Sequence, residues 1–161
     1  MNPPAIEPIA IRKATAEDQA DLVAFNQAMA RETENRELDP TTLQGGVAHM
    51  LAGKAEGLYL VAERTSDSRL LASMMVTYEW SDWRCGLFWW IQSVYVTPEA
   101  RRRGIFSALY RHLEAMARSD RHCCGLRLYV EQDNATAMST YRHLGMQETH
   151  YRLYETDFAK P

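Results

Sequence analysis

The amino-acid sequence predicts a single domain with an α/β (α+β) fold. Segments with the periodicity of strands and of helices follow one another in the order β-α-α-β-β-β-α-β-α-β. With 161 residues, 46% of them hydrophobic, the chain can bury one substantial core but not two. No apolar run approaches the roughly 20 residues that a membrane-spanning helix needs. We therefore assign residues 1–161 to one domain and expect residues 1–8 to be flexible.

The first third of the chain is predicted to hold one strand and two helices. Ile9–Lys13 alternates in polarity like a short strand, and Thr15 and Asp18 have the spacing of a helix capping signal. The helix that follows has three apolar side chains on one face, namely Leu22, Phe25 and Met29. A second, weaker helix is predicted over Thr41–Leu51 and is interrupted by Gly45-Gly46, because glycine disfavours helix.

Three strands of an antiparallel meander are predicted next. Leu58–Glu63 and Leu70–Tyr78 are rich in aliphatic and aromatic residues, and a polar turn at residues 65–68 separates them. Phe88–Val96 is apolar and rich in β-forming residues, and it follows a turn region at residues 81–86. We expect these three segments to pair in chain order.

The last third predicts two helices and two strands. An amphipathic helix is indicated by an apolar stripe formed by Ile105, Leu109, Leu113 and Met116. Leu126–Val130 is typical of a buried strand, and Asn134 is placed to cap a final helix that Gly145 ends. Tyr151–Glu155 is predicted to be the last strand.

The net charge of −3 is unevenly distributed along the chain. Residues 16–39 have a net charge of −5, whereas residues 101–127 have a net charge of +5. The first segment suits a cation and the second an anion, although solvated helix faces explain the acidic segment equally well. A sequence pI near 6.0 and the lack of interleaved basic and aromatic residues argue against nucleic acid as a partner.

The sequence also bears on cell compartment and metal binding. The start, Met1-Asn2-Pro3-Pro4, lacks the basic and apolar regions of a signal peptide. Three cysteines without a C-x-x-C pair fit a reducing compartment, so we expect a cytoplasmic protein with no membrane partner. The five histidines are scattered without metal-ligand spacing, and no metal is expected.

Residues 94–107 are the most informative about function. An apolar strand end runs into a basic turn that contains Gly104, and a helix follows. The N–H groups and the dipole at a helix start attract anions, and Arg101, Arg102 and Arg103 add positive charge. The chain has neither the G-x-x-x-x-G-K-[ST] nor the G-x-G-x-x-G phosphate motif. The stretch therefore predicts a different kind of site for a phosphorylated cofactor.

Two motifs resemble those of the GNAT N-acetyltransferase superfamily. Residues 94–107 are similar to its motif A, Q/R-x-x-G-x-G/A after a V-x-P strand end, with Arg101 and Gly104 in place and Phe106 where Gly or Ala is expected. Residues 126–146 are similar to its motif B, N-x-x-A-x-x-x-Y-x-x-x-G-[FM], with Asn134, Ala137, Tyr141, Gly145 and Met146 in register. The resemblance implies a mixed sheet of about six or seven strands flanked by about four helices. In that fold the strands entering the two motifs are parallel and splay apart.

The resemblance further implies that acetyl-CoA is the cosubstrate. The backbone of Val94 and Val96 would bind the pantetheine arm between the splayed strands. The pyrophosphate would lie against the start of the helix, and Asn134 would complete the cofactor site. The residues implied for the pyrophosphate loop are Arg101, Arg102, Arg103, Gly104, Ile105, Phe106 and Ser107.

The implied reaction is direct transfer of the acetyl group to a primary amine, without a covalent enzyme intermediate. Tyr141 matches the family position for the acid that protonates the departing thiolate. Some relatives have a glutamate base where this chain has Trp90, so we assign the base to Glu79 first and to Asp82 second. Gln92, on the same strand face as Trp90, could hold a water molecule.

The sequence leaves the acceptor open between a small-molecule amine, a peptide N-terminus and a lysine. Aromatic and acidic residues could line a pocket for a cationic amine, although core packing or a dimer contact explains the tryptophans equally well. These residues are Trp80, Trp83, Trp89, Trp90, Glu32, Glu34 and Glu37. A homodimer would agree with the pairing of related proteins. One alternative to an enzyme is a non-catalytic acyl-CoA sensor or interaction module. Another is a structural protein in which Phe106 closes the pyrophosphate loop, so that no CoA binds.

Overall fold

The computed structural model describes residues 8–158, which form two compact units. The larger unit ends at Tyr129 and the smaller begins at Val130, and each is described by itself. The assignment of residues 1–161 to one domain stays a prediction. Except for Pro8, the expected flexibility of residues 1–8 concerns residues outside the described part of the chain.

The larger unit is built on a mixed five-stranded sheet in the order β1-β2-β3-β4-β5. Strands β1 to β4 are antiparallel in chain order, and β5 joins β4 in parallel. The meander and the parallel pair were both predicted, and they are confirmed. The strands are β1 (Ile9–Lys13), β2 (Gly57–Arg64), β3 (Leu70–Ser81), β4 (Gly86–Val96) and β5 (Cys123–Leu128).

Helices cover both faces of this sheet. They are α1 (Gln19–Glu34), α2 (Pro40–Leu51) and α3 (Ile105–Ser119). Side chains of α1 and α2 pack in one core cluster with Tyr59 and Val61 of β2, whereas α3 contacts all five strands. Leu60 and Ala62 alternate with Tyr59 and Val61 along β2 and are also fully buried, so the second face is covered too.

The second helix is continuous through its two glycines, and the predicted interruption is wrong. Asp39 accepts a hydrogen bond from the Thr42 backbone N–H at 2.7 Å, and Pro40 occupies the first helical turn. Val47 and Met50 are buried against the core. Capping and burial therefore outweigh the roughly 1 kcal/mol that each helical glycine costs relative to alanine.

The C-terminal part of the sheet differs from its prediction. Tyr151–Glu155 was expected to be a strand, but the structure leaves it irregular with Tyr151 and Tyr154 72% and 89% exposed. A strand needs a neighbour with which to exchange backbone hydrogen bonds, and this segment pairs with none of the five strands. Within residues 8–158 the sheet thus has five strands instead of six or seven. The strand predicted over Leu126–Val130 begins earlier and ends at Leu128.

A buried carboxylate holds β1 to the start of α1. Asp18 is 6% exposed, and its oxygens accept hydrogen bonds from the Arg12 guanidinium at 2.8 and 2.9 Å. Arg12 also donates to Glu63 of β2 at 2.7 Å. The hydrogen bonds from Arg12 hold the pKa of Asp18 below its usual value. The charged form of Asp18 therefore contributes to the stability of the fold.

Replacing Asp18 by asparagine is expected to lower the free energy of unfolding by about 2 kcal/mol at neutral pH, because Arg12 loses its buried counter-charge. A carboxyl whose folded pKa is lowered stabilises the fold above its unfolded pKa and loses that effect as the pH falls. The unfolding free energies of wild type and Asp18→Asn in urea should therefore begin to converge as the pH falls below about 4, and should meet only below the lowered pKa of the folded state. Glu37→Gln, in an exposed pair with Arg31, is the matched control and should change little. A gap that persisted unchanged to pH 3 would show that packing, not charge, explains the effect.

Candidate functional site

Strand β4 contains a bulge near its C-terminal end. Ser73 of β3 pairs with Tyr95, and Met75 pairs with Gln92, so β4 has one residue more than β3 over this interval. Ser93 adopts φ 47°, which is rare for a residue with a side chain. Bulges bend a strand and change the direction of its groups, often beside functional sites. This bulge was not predicted, because a serine in a strand does not mark a bulge in the way that a glycine does.

Strands β4 and β5 stop pairing at the bulge. Their parallel register ends at Ile91 opposite Leu128, whereas β4 continues to Val96. The stretch of β4 from 92 to 96 therefore has no β5 residue in register with it. Val94 and Val96 lie on this stretch, where they were predicted to meet a pantetheine arm. The Val96 carbonyl, however, already accepts a hydrogen bond from the Arg101 Nε–H at 3.0 Å.

The basic loop after β4 leads directly into the start of α3. Arg102 and Gly104 both adopt positive φ, at 61° and 75°, which turns the chain twice within three residues. Gly104 occupies the N-cap position of α3 and has no side chain with which to cap it. Arg102 and Arg103 are exposed, and the described residues offer them no ion-pair partner. The helix start and these two guanidinium groups suit an anion.

The departure at Phe106 leaves the helix start intact. Helix α3 begins at Ile105, so Phe106 lies in its first turn as predicted. Its ring is partly exposed and lies 6.4 Å from the Tyr110 ring on the same helix. The backbone of Ile105, Phe106 and Ser107 thus forms the first turn that the motif requires.

Arg101 is directed to helix α1. Its Nη2 donates to Glu32 at 2.5 Å, and its guanidinium carbon lies 5.6 Å from the centre of the Tyr95 ring. The Tyr95 hydroxyl donates to the other Glu32 oxygen at 3.0 Å. Burial, together with this bond to a carboxylate, raises the pKa of Tyr95 and keeps its hydroxyl protonated. Glu32 therefore connects α1 to the basic loop.

We expect Glu32→Gln to weaken acetyl-CoA binding about threefold to fivefold, because a partly exposed ion pair contributes about 1 kcal/mol or less to holding the loop. Arg101→Gln should have a similar effect, and the double variant should be no weaker than either single variant. Calorimetric titration of the four proteins measures this coupling. Tighter binding by Glu32→Gln would contradict the idea that Arg101 positions the loop, and would mean that Glu32 competes with the cofactor for Arg101.

The predicted base, Glu79, lies on the sheet face beside Trp90. The Trp90 indole N–H donates to Glu79 Oε2, and Arg127 Nη1 donates to both Glu79 oxygens at 3.1 and 3.3 Å. Arg127 lies opposite Trp90 in the parallel register, one pair before β4 and β5 diverge. These three hydrogen bonds leave one lone pair on Glu79 Oε1, which can accept a proton. Gln92 donates to Thr77 Oγ1 at 2.5 Å nearby.

Asp82 belongs to the β3–β4 hairpin turn. It accepts a hydrogen bond from the Trp83 backbone N–H at 2.9 Å within that turn. Gly86 begins β4 and Val96 ends it, so the turn and the basic loop lie at opposite ends of a strand about 30 Å long. Asp82 is therefore poorly placed for chemistry near the bulge, and Glu79 remains the better candidate.

The tryptophans and glutamates considered for an amine pocket, one of the interpretations that the sequence left open, do not lie together in the structure. Trp80 and Trp83 are 59% and 83% exposed near the hairpin, whereas Trp89 is buried against Tyr78 on the sheet face opposite to Trp90. Glu32 lies at the other end of β4. The remaining acidic residues of the set are exposed, and Glu37 pairs with Arg31 on α1. The tryptophans are close together in the sequence but lie on different faces of the sheet, because alternate residues of a strand point to opposite sides.

The smaller unit contains helix α4 (Ala135–His143), where Tyr141 lies. Asn134 Oδ1 accepts a hydrogen bond from the Ala137 backbone N–H at 3.0 Å, and Gly145 adopts φ 87° after the helix. The predicted cap and stop are therefore confirmed. Burial raises the pKa of Tyr141, so its hydroxyl stays protonated at neutral pH. The catalytic role of Tyr141 and the cofactor role of Asn134 stay predictions.

Within residues 8–158, no group of three or more His, Cys, Asp or Glu side chains could hold a metal ion. Among the helices in this range, none is both long and apolar enough to cross a bilayer.

Known proteins resemble this chain over most of its length. A sequence model described as the acetyltransferase (GNAT) family matches residues 20–146. A possible acetyltransferase from Clostridium difficile 630 is 42% identical, with a TM-score of 0.86 over 94% of this chain and 99% of that one. A predicted acetyltransferase from Clostridium acetobutylicum, crystallised with acetyl-CoA, is 19% identical, with a TM-score of 0.74 over 92% and 96% of the two chains.

One curated protein matches a shorter stretch. Mycothiol acetyltransferase from Mycolicibacterium gilvum (strain PYR-GCK) is 38% identical over 68 residues, which are 40% of this chain. The matched stretch spans only 21% of that longer protein.

Proposed function

Since this chain belongs to the acetyltransferase (GNAT) family, we propose that it transfers an acetyl group from acetyl-CoA directly to a primary amine. The observation that supports this most is the divergence of β4 and β5 beside the basic start of α3. The polar arm of acetyl-CoA can pair with the strand edge that β5 leaves unpaired, and its pyrophosphate can bind at the helix start that follows.

The proposed cofactor site follows β4 into α3. The backbone of Val94, with that of Val96, binds the amides of the pantetheine arm. The pyrophosphate accepts hydrogen bonds from the backbone of residues 102–107 and from the Arg102 and Arg103 side chains. Arg101 acts on the loop through Glu32, because its guanidinium already contacts that carboxylate.

The proposed reaction proceeds in one transfer. The ammonium group of the acceptor loses a proton, and the amine nitrogen attacks the thioester carbon. The nitrogen–carbon bond forms, the carbon–sulfur bond breaks, and the nitrogen loses a second proton. The thiolate gains one proton, so the products are the amide, free CoA and one released proton.

Two residues are proposed to move these protons. Glu79 takes the first proton on Oε1, directly or through a water molecule that Gln92 holds, because that oxygen accepts only one hydrogen bond. Tyr141 protonates the thiolate, and its raised pKa keeps the donor proton in place at neutral pH.

The test is acetyl-CoA turnover with a panel of amines, measured as release of free CoA and confirmed by the mass of the acetylated product. Transfer to at least one amine, lost in Glu79→Gln, supports the proposal. Asp82→Asn is the matched control, because Asp82 lies in the hairpin turn. Turnover that Asp82→Asn abolishes and Glu79→Gln leaves intact would move the base to the hairpin.

A second candidate is a non-catalytic acyl-CoA sensor. It is favoured by the hydrogen bonds from Trp90 and Arg127 to Glu79, because these donors compete with an acceptor ammonium for the same carboxylate. Such a protein would bind acetyl-CoA and release no CoA with any amine in the panel.

A further inference from the structure

The Glu79–Arg127 pair leaves hydrogen-bonding capacity unused. Arg127 donates to Glu79 only through Nη1, and its Nε and Nη2 have no hydrogen-bond partner among residues 8–158. The Arg127 side chain is 33% exposed and that of Glu79 is 46% exposed. A guanidinium group presents five N–H donors in a plane that matches a carboxylate. Arg127 can therefore bind a second carboxylate from solution.

Aromatic rings fix the orientation of this guanidinium. Its central carbon lies 3.5 Å from the centre of the Phe88 ring and 5.9 Å from that of Trp90. The Tyr129 ring packs on Trp90 at 4.4 Å. Stacking on these rings holds the arginine in place and removes water from one of its faces, which strengthens its interaction with an anion.

Two arginines contact the Phe88 ring. The Arg84 guanidinium carbon lies 5.1 Å from the ring centre, and that of Arg127 lies 3.5 Å from it. Two carboxylates belong to the same end of the hairpin: Glu79 bonds to Arg127, and Asp82 accepts from the backbone of its own turn. A ligand carboxylate that approaches Arg127 therefore comes close to a second guanidinium group, that of Arg84.

We propose that Arg127 binds a carboxylate of the acceptor, so that the acceptor is an amino acid or another amine with a neighbouring carboxylate. This rests on the proposed function. The adjacent opposite charges of Glu79 and Arg127 match those of an ammonium and a carboxylate on one carbon. The ligand carboxylate binds the unused Nε and Nη2 donors of Arg127 while Nη1 stays on Glu79, and the ammonium then lies beside Glu79. The pair of Trp90 and Arg127 immediately precedes the divergence of β4 and β5, where the thioester would arrive.

The test compares the L-amino acids with their amides, which keep the amine and lack the carboxylate. CoA release is measured with wild type, Arg127→Gln and Arg127→Lys. We expect kcat/KM to be about 30-fold higher for the acids than for their amides, since one charge-assisted bidentate interaction is lost. Arg127→Gln should abolish this preference, and Arg127→Lys should reduce it. Arg118→Gln, an arginine on the surface of α3 paired with Glu114, is the matched control and should keep the preference.

Three results would overturn the inference. If the amides are acetylated at the same rate as the acids, or if the preference for acids survives in Arg127→Gln, Arg127 does not bind the acceptor carboxylate. Acetyl-CoA binding without acetylation of any amino acid would also overturn it, and would leave the proposed function to be decided by other amines. Absence of acetyl-CoA binding would instead refute the proposed function itself. Equal acetyl-CoA affinity of wild type and Arg127→Gln shows that the variant is folded.

Discussion

Replacing Gly104 by aspartate is expected to weaken acetyl-CoA binding about 100-fold or more. Gly104 occupies the N-cap of α3 at φ 75°, and a Cβ added there would meet no atom within 4 Å. The effect must therefore come from charge and backbone. A carboxylate about 5 Å from the pyrophosphate would repel it by about 3 kcal/mol at an effective dielectric constant of 20. Calorimetric titration of acetyl-CoA measures the loss.

Gly104→Asn separates charge from conformation. Asparagine and aspartate both tolerate positive φ and have the same shape. Each variant therefore has the same conformational cost of about 1 kcal/mol at this backbone position. We expect Gly104→Asn to bind acetyl-CoA within about fivefold of wild type. Equal affinities of the two variants would show that no anion lies against this helix start.

The second large effect is expected from Tyr141→Phe, which removes only the hydroxyl group. General acid catalysis typically contributes 100-fold or more, so kcat should fall about 100-fold while acetyl-CoA affinity stays within about twofold. Because burial raises the pKa of Tyr141, this group should cause no loss of rate on the alkaline side up to about pH 10. Steady-state kinetics across pH with both proteins measures these changes.

Tyr154→Phe is the matched control for the loss of a hydroxyl. Tyr154 lies in the same C-terminal unit and is 89% exposed, so its variant should keep wild-type turnover. If Tyr141→Phe keeps full turnover, another group protonates the thiolate and the assignment from motif B is wrong.

Local patterns predicted the elements that place the cofactor loop. Helix α3 was found because its apolar residues recur at helical spacing and Gly104 precedes them, and the structure confirms both. The cap at Asn134 and the stop at Gly145 were found because each acts within a few residues of its own position. Such features depend on short-range backbone chemistry, which a sequence displays directly.

Contacts between distant residues were not predictable in this way. Glu32 and Arg101 are 69 residues apart in the chain, and Glu79 and Arg127 are 48 residues apart. Each pair forms because the sheet order brings its strands or helices together, and no local pattern selects one charged residue over another. The bulge at Ser93 depends on the register of β3 with β4, which the sequence of β4 alone does not specify.

The irregular C-terminal segment shows the same limit for strands. The residue types of Tyr151–Glu155 are compatible with a strand, but residue types alone say nothing about a pairing partner. In helix α2 the opposite happened, because the glycine signal was overridden by a cap at Asp39 and by burial of Val47. In both cases tertiary structure decided between options that the sequence left open.

Titration of acetyl-CoA and free CoA into the wild-type protein tests the central claim most directly, because every proposed step needs the cofactor at the start of α3. We expect one molecule to bind per chain with a Kd of roughly 1 to 100 μM, within the range typical of enzyme substrates, and Gly104→Asp to weaken this binding about 100-fold or more. Absence of binding by the wild type, or binding that Gly104→Asp leaves unchanged, would contradict the cofactor site proposed for β4 and α3.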